Sequence, residues 1–154
     1  MTTTTVRAEP VEALRQAQGE RFVFPIRVYW EDTDAGGIVF YANYLKFFER
    51  ARTEWLRSLG LEQSRLREES GGMFIVSETS VRYLRPSRLD DELLVTAELE
   101  SAGGASMTIA QQATLKGSRT LLCEGTIRIC WVDTARLKPG RIPPIILQAI
   151  NHTP

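Results

Sequence analysis

Two carboxylates, Asp32 and Asp34, lie on the stretch Tyr29-Trp-Glu-Asp-Thr-Asp-Ala-Gly-Gly-Ile-Val-Phe-Tyr-Ala-Asn-Tyr44. It runs straight into Leu45-Lys-Phe-Phe-Glu-Arg-Ala-Arg-Thr-Glu-Trp55, which reads as an aromatic-rich helix. A carboxylate beside a helix N-terminus is equipped for acyl chemistry. The helix end stabilises a developing oxyanion, while the carboxylate attacks a carbonyl or activates water. Asp34 is the principal candidate, and partial burial would strip it of water and sharpen it as a nucleophile. The competing reading is that Asp34 only caps the turn before Gly36-Gly37, a common task for Asp. Gly36 and Gly37 allow backbone shapes that other residues resist and let a ligand approach closely. Asp32 is assigned a supporting place in the loop, either exposed or hydrogen-bonded. Glu49 is read as structural, because Glu49–Arg52 and Arg50–Glu54 are natural helical ion pairs.

These residues need a strand before them and a helix after them. The first strand is expected over Phe22–Trp30, with Pro25 near its start, where a lost donor is tolerated. Asn43 is a good N-cap for a helix that runs to about Leu59 and stops at Gly60. Tyr44, Phe48, Ala51, Trp55 and Leu59 form one apolar stripe, widened by Leu45, Phe47 and Leu56. So broad a band suits a helix wrapped by a sheet. Further along, Leu93, Val95, Ala97 and Leu99 alternate with Leu94, Thr96, Glu98 and Glu100. Met107, Ile109, Ala113 and Leu115 alternate in the same way with Thr108, Gln112, Thr114 and Lys116. Period two with one polar face indicates antiparallel strands covered on one side. Phe74–Leu84 and Leu121–Val132 complete the set, with hairpin turns at Gly103-Gly104 and Lys116-Gly-Ser118. Strand, long helix, then four strands is an α+β order.

The string Asp32-Thr-Asp34-x-x-Gly37-Ile-Val39-x-Tyr41-x-Asn-Tyr44 resembles the signature of hotdog-fold acyl-CoA thioesterases of the 4-hydroxybenzoyl-CoA thioesterase type. Within that family, Glu31–Gly37 and Phe48-Glu-Arg-Ala-Arg-Thr-Glu54 are most similar to the branch associated with the bacterial Tol-Pal envelope system. The likeness continues through Tyr83-Leu-Arg-Pro-Ser-Arg-Leu-Asp-Asp91 and ends near Pro139-Gly-Arg-Ile-Pro143. It implies one long helix embraced by a five-stranded antiparallel sheet, assembled as a homodimer or homotetramer. It implies hydrolysis of acyl-CoA thioesters, with short or medium aliphatic or aromatic acyl groups, and no cofactor. The alternative is a non-catalytic hotdog module that binds acyl carrier protein or a cell-envelope partner. Asp34 matches the catalytic aspartate, and Tyr41 the position whose backbone N–H polarises the thioester carbonyl. The Tol-Pal branch typically has His where this chain has Tyr41; a backbone role survives that change and a side-chain acid/base role does not. Gly37 and Asn43 support the loop. The resemblance also implies a coenzyme A channel along Met73, Phe74 and Ile75 and near the turn bearing Gly104 and Ser106, across a subunit boundary. The family's basic residues at that turn are glycines here, so the phosphates must be held elsewhere, with Arg82, Arg85 and Arg88 or Arg136, Lys138 and Arg141 as candidates. Another hotdog branch uses a helix glutamate as its catalytic carboxylate, which makes Glu49 the rival to Asp34.

Size and charge agree with one compact domain. The 154 residues are enough to bury a core without disulfides or metal. The balance of 19 basic against 19 acidic residues provides no field for nucleic acid or anionic membrane. No apolar run approaches the ~20 residues of a membrane span, and the first ten residues lack a signal-peptide layout. The expectation is a cytoplasmic protein. Cys123 and Cys130 lie seven steps of ~3.3 Å apart on one strand, ~23 Å, far beyond the ~7 Å limit for a bridge. Reduced thiols follow. The one histidine, His152, is terminal, and no metal site is expected. Residues 1–21 read as a disordered extension, 22–145 as the domain and 146–154 as a tail.

Overall fold

The computed structural model describes residues 21–151. The disorder expected for the N-terminal extension, and His152, fall outside them, Arg21 apart. The order is β1 (Phe22–Arg27), a single 3-10 turn (Trp30–Asp32), α1 (Asn43–Ser58), α2 (Gln63–Ser70), β2 (Gly72–Tyr83), β3 (Glu92–Ala102), β4 (Ser106–Leu115), β5 (Leu121–Asp133) and α3 (Pro144–Asn151). The strands form one antiparallel sheet in the order β1-β3-β4-β5-β2. The expected α+β fold is present, a long helix held against a five-stranded sheet. Pro25 is tolerated because β1 is an edge strand. The first strand is shorter than expected, since Tyr29–Asp32 turn away into the loop.

The stripe on α1 is the centre of the core. Tyr44, Phe47, Phe48, Ala51, Trp55 and Leu56 are buried, against Leu93, Val95, Met107, Ile109, Ile127 and Ile129 of the sheet. Burying a side chain such as Phe48 contributes about 1.5–3 kcal/mol. Leu45, expected to widen the stripe, is exposed. The helix ends as anticipated: Gly60 takes φ +84° and donates to Arg57 O, and Leu61 N reaches back to Leu56 O.

Four expectations are corrected. Asn43 is not the N-cap: Ala42 holds that place with helical dihedrals, and Asn43 is already the first helical residue. Neither helical ion pair forms; Glu54 bonds Arg57 at 2.6 Å instead, and Arg52 turns inward. From Leu93 to Ala97, β3 is buried on both faces, because it lies inside the sheet between β1 and β4 and Arg21 crosses its outer face to Glu98 and Gln112. Of the segment read as a tail, the described residues up to Asn151 belong to helix α3, whose Ile146 and Ile150 join the core. A further helix, α2, was not anticipated at all; none of its residues is buried, so it has no apolar stripe to announce it.

Cys123 is buried, Cys130 partly so, and both are free. Burial, with the nearby Glu124 charge, pushes the Cys123 thiol up to about 12 from its ordinary 9.0. Because the folded value is the higher, the stability that this thiol contributes is complete below pH 9 and is lost as pH rises towards 12. Iodoacetamide at mildly alkaline pH should therefore label Cys123 only after denaturation; rapid labelling of the native protein at this residue would contradict its burial.

Candidate active site

The acidic loop is a small hairpin of its own. Thr33 bridges Val39, Asp34 N donates to Ile38 O at 2.8 Å, and Gly37 N donates to Asp34 O at 3.0 Å. Gly37 makes the turn with φ +84°, a value that only glycine adopts freely. The hairpin is docked by Val39 N donating to Ser87 O, and Ile38 bridges Arg88.

Asp32 is the pin of this arrangement. It is 2 % exposed, its Oδ2 accepts from Tyr29 N at 2.8 Å, and its carbonyl accepts from both Phe40 N and the Asn43 side chain. Asn43 thus ties the helix start to the loop. Its amide serves a tertiary contact, which is why it does not serve as a local cap.

At Asp34 the two readings of the sequence fall on different oxygens. Oδ1 caps the turn, accepting from Gly36 N at 2.8 Å and Ile38 N at 3.3 Å. Oδ2 carries no bond among the described residues. The carboxylate is exposed in the single chain, rather than partly buried as expected. It is a fixed acid with one oxygen free to react.

Tyr41 stands at the helix entry, 61 % exposed, with its ring 5.7 Å from that of Tyr83. Among the described residues its backbone N–H meets no acceptor, as an oxyanion donor requires. Beside it a cavity of about 240 Å³ is lined by Ile38, Tyr41, Tyr44, Tyr83, Leu84 and Arg85. Tyr44 closes its floor, buried, with its hydroxyl 2.6 Å from Ser87 Oγ. Burial raises the Tyr44 phenol above its ordinary 10.0, the hydrogen bond to Ser87 working the other way, and burial raises Tyr83 too. Tyr83 and Ser87 fall within the Tyr83–Asp91 stretch of the resemblance, but no site role was expected of either. Only the pairing of β2 with β5 and the docked hairpin bring them here.

The residues expected along the coenzyme A channel form a second group. Ile75 pairs Cys130, and Cys130 pairs Ser106, so the three form a row across β2, β5 and β4. Phe74 packs its ring 5.0 Å from Trp131, Met73 lies beside Val132, and Gly104 O accepts from Ile142 N at 2.8 Å. Ile75 is eight residues from Tyr83, or ~26 Å of strand. One chain therefore gathers Asp32, Asp34, Gly37, Tyr41 and Asn43, and separately Met73, Phe74, Ile75, Gly104 and Ser106, at opposite ends of β2.

The model of the thioesterase-like superfamily matches residues 28–150, most of the chain and all of the loop. The chain belongs to that superfamily. It is 41 % identical over 131 residues to the acyl-CoA thioesterase YbgC of Haemophilus influenzae, covering 85 % of this chain and 95 % of that one. Among solved structures, a probable thioesterase from Bartonella henselae is 32 % identical, with TM-score 0.73 over 80 % of this chain and 99 % of the other. A 1,4-dihydroxy-2-naphthoyl-CoA thioesterase from Synechocystis shares the fold, with TM-score 0.79 at 21 % identity, covering 86 % of this chain and 96 % of that one. No helix among the described residues is long and apolar enough to cross a membrane.

Proposed function

We infer that this superfamily member hydrolyses acyl-CoA thioesters to the free acid and coenzyme A. The observation that carries the reading is Asp34, with Oδ1 locked in the turn and Oδ2 free, on the loop leading to the open N–H of Tyr41. The 41 % identical relative bearing the name acyl-CoA thioesterase supports the substrate class. In the reaction the Tyr41 N–H stabilises the carbonyl oxygen as it gains charge. Asp34 either attacks the carbonyl carbon, giving an anhydride that water then opens, or removes a proton from attacking water. Both routes break the C–S bond, consume one water and release acid and thiol.

The single chain leaves Asp34 exposed, and β2 has a free edge twelve residues long. Two copies joined antiparallel through β2 would remove that edge and bring the Ile75 end of one towards the Tyr83 end of the other. The two groups of site residues would then face each other, with Met73, Phe74, Ile75, Gly104 and Ser106 of one copy forming the channel to Asp34 of its partner. We read the working form as a homodimer or homotetramer. The acyl group is short or medium aliphatic, or aromatic. The compartment is the cytoplasm, in keeping with free cysteines. The likeness to the Tol-Pal branch is the ground for an envelope-linked role and for acyl carrier protein as a further partner.

A panel of acyl-CoAs read by thiol release, with sedimentation on the same sample, tests the reading. Turnover by a stable oligomer is expected. No turnover on any thioester would favour a binding module, and a folded, active monomer would refute the shared site.

A further inference from the structure

Arg88 stands in one row with the reacting carboxylate. Ile38 is bridged to Arg88 in antiparallel register, next to the bond from Val39 N to Ser87 O. On the other side of the hairpin Thr33 bridges Val39, which sets Asp34 opposite Ile38. Residues paired across antiparallel strands share a face. Asp34, Ile38 and Arg88 therefore lie side by side on one face, and Thr33, Val39 and Ser87 on the other. Burial agrees. Val39 and Ser87 are buried, Asp34 and Arg88 are exposed, and Ile38 is half-buried between them.

Arg88 is fixed at its backbone and free at its tip. Its N–H donates to Asp91 Oδ2 at 2.8 Å, and its carbonyl accepts from Asp91 N at 3.1 Å. Asp91 O in turn accepts from Val28 N at 2.9 Å, which anchors the segment to the end of β1. The Asp91 carboxylate thus engages the main chain of Arg88 and not its side chain. Among the described residues the Arg88 guanidinium has no ion-pair partner. Two strand spacings of ~4.8 Å place Arg88 about 10 Å from Asp34, with Ile38 midway. Ile38 also lines the cavity beside Tyr41. A thioester seated over Ile38, its carbonyl at the Tyr41 N–H, would have a carboxylate on one flank and a cation on the other.

We propose that Arg88 is a catalytic residue, which stabilises the departing thiolate of coenzyme A. The inference rests on the thioesterase reading above and adds a third group to it. When the tetrahedral adduct collapses, the C=O bond re-forms, the C–S bond breaks and its electron pair leaves with sulfur. Arginine keeps its own proton, so it acts by charge and by donating N–H to the sulfur. The thiolate then takes up the proton released by the consumed water, which leaves free acid and thiol on either route. A place beside the scissile bond also parts Arg88 from the coenzyme A phosphates, which lie a whole pantetheine arm away from the sulfur.

The test measures kcat/KM for thioesters of one acyl group with pantetheine, an alkyl thiol, and with thiophenol, whose thiolate is far less basic. Neither thiol carries a phosphate. In Arg88→Gln, hydrolysis of the pantetheine thioester should fall by about 10- to 100-fold, the range set by hydrogen bonds to a charged group. The thiophenol ester should hardly change, because a less basic thiolate leaves without help. Arg88→Lys retains the charge and should recover most of the loss. Should Arg88→Gln fail to fold, Arg88→Ala is read in the same way. Equal losses on both thioesters would reduce Arg88 to a support of the loop, and no loss on either to a solvated charge. A loss on acyl-CoA that spares acyl-pantetheine would make it a phosphate anchor. Each of these overturns the inference and leaves the hydrolase standing. A wild type that cleaves no thioester overturns both.

Discussion

Gly125→Ala should cost stability at the upper end of about 1–3 kcal/mol, or more, although it adds one methyl group. Gly125 lies on β5 between Val81 of β2 and Gln111 of β4. A Cβ there would run into the carbonyl oxygen of Ser80, and it would meet Val81 Cγ2 at 3.0 Å and Val81 Cα at 3.2 Å. Two of those atoms are backbone and cannot rotate away, so β2 itself must shift. The displaced strand carries Tyr83, which supports Tyr41, and presents the free edge that a second copy would use. The urea midpoint should drop clearly, with thioesterase activity and oligomerisation falling alongside it. Gly104→Ala is the control, since nothing lies within 4 Å of a Cβ at that position. Equal midpoints for the two variants would contradict the close strand approach at Gly125.

Much of this architecture is legible in the sequence because local pattern and tertiary demand coincide. The strip Tyr44, Phe48, Ala51, Trp55 reads as a buried face and is one, and β4 alternates along its length. Legibility fails where a distant residue decides. Arg52 looks like the partner of Glu49 on a solvated helix face, but Gln111, remote in sequence, draws it into the core. Asn43 has the chemistry of a cap, and it is used instead to hold the Asp32 carbonyl. At the C-terminus a readable signal was passed over: Pro144 opens α3, as prolines often do, and Ile146 and Ile150 are spaced four apart. The carboxylates show the same division. Type and spacing marked Asp32 and Asp34 as the interesting pair. That Asp32 is buried as the pin, while Asp34 keeps a free oxygen, follows from Tyr29, Phe40 and Asn43 closing round the first and from Gly36 and Ile38 engaging half of the second.

The central claim is that the loop carboxylate does the chemistry, and Asp34→Asn addresses it with the least disturbance. The amide oxygen can still accept from Gly36 N and Ile38 N, so the turn should hold and the fold and oligomeric state should be retained. What is lost is the negative charge at the position of Oδ2, and with it both the nucleophile and the general base. A positioned acid or base is worth about 10²–10⁴ in rate. Glu49 supplies the comparison, being a helix glutamate that lines a cavity together with the buried Arg52. The deciding measurement is thiol release from a good acyl-CoA substrate by the wild type, Asp34→Asn and Glu49→Gln, with each variant's fold verified by circular dichroism. The account predicts that kcat falls by about 10²–10⁴ in Asp34→Asn with KM little changed, while Glu49→Gln stays near the wild type. Near-normal turnover in Asp34→Asn with activity abolished in Glu49→Gln would contradict it and make the helix glutamate the catalyst.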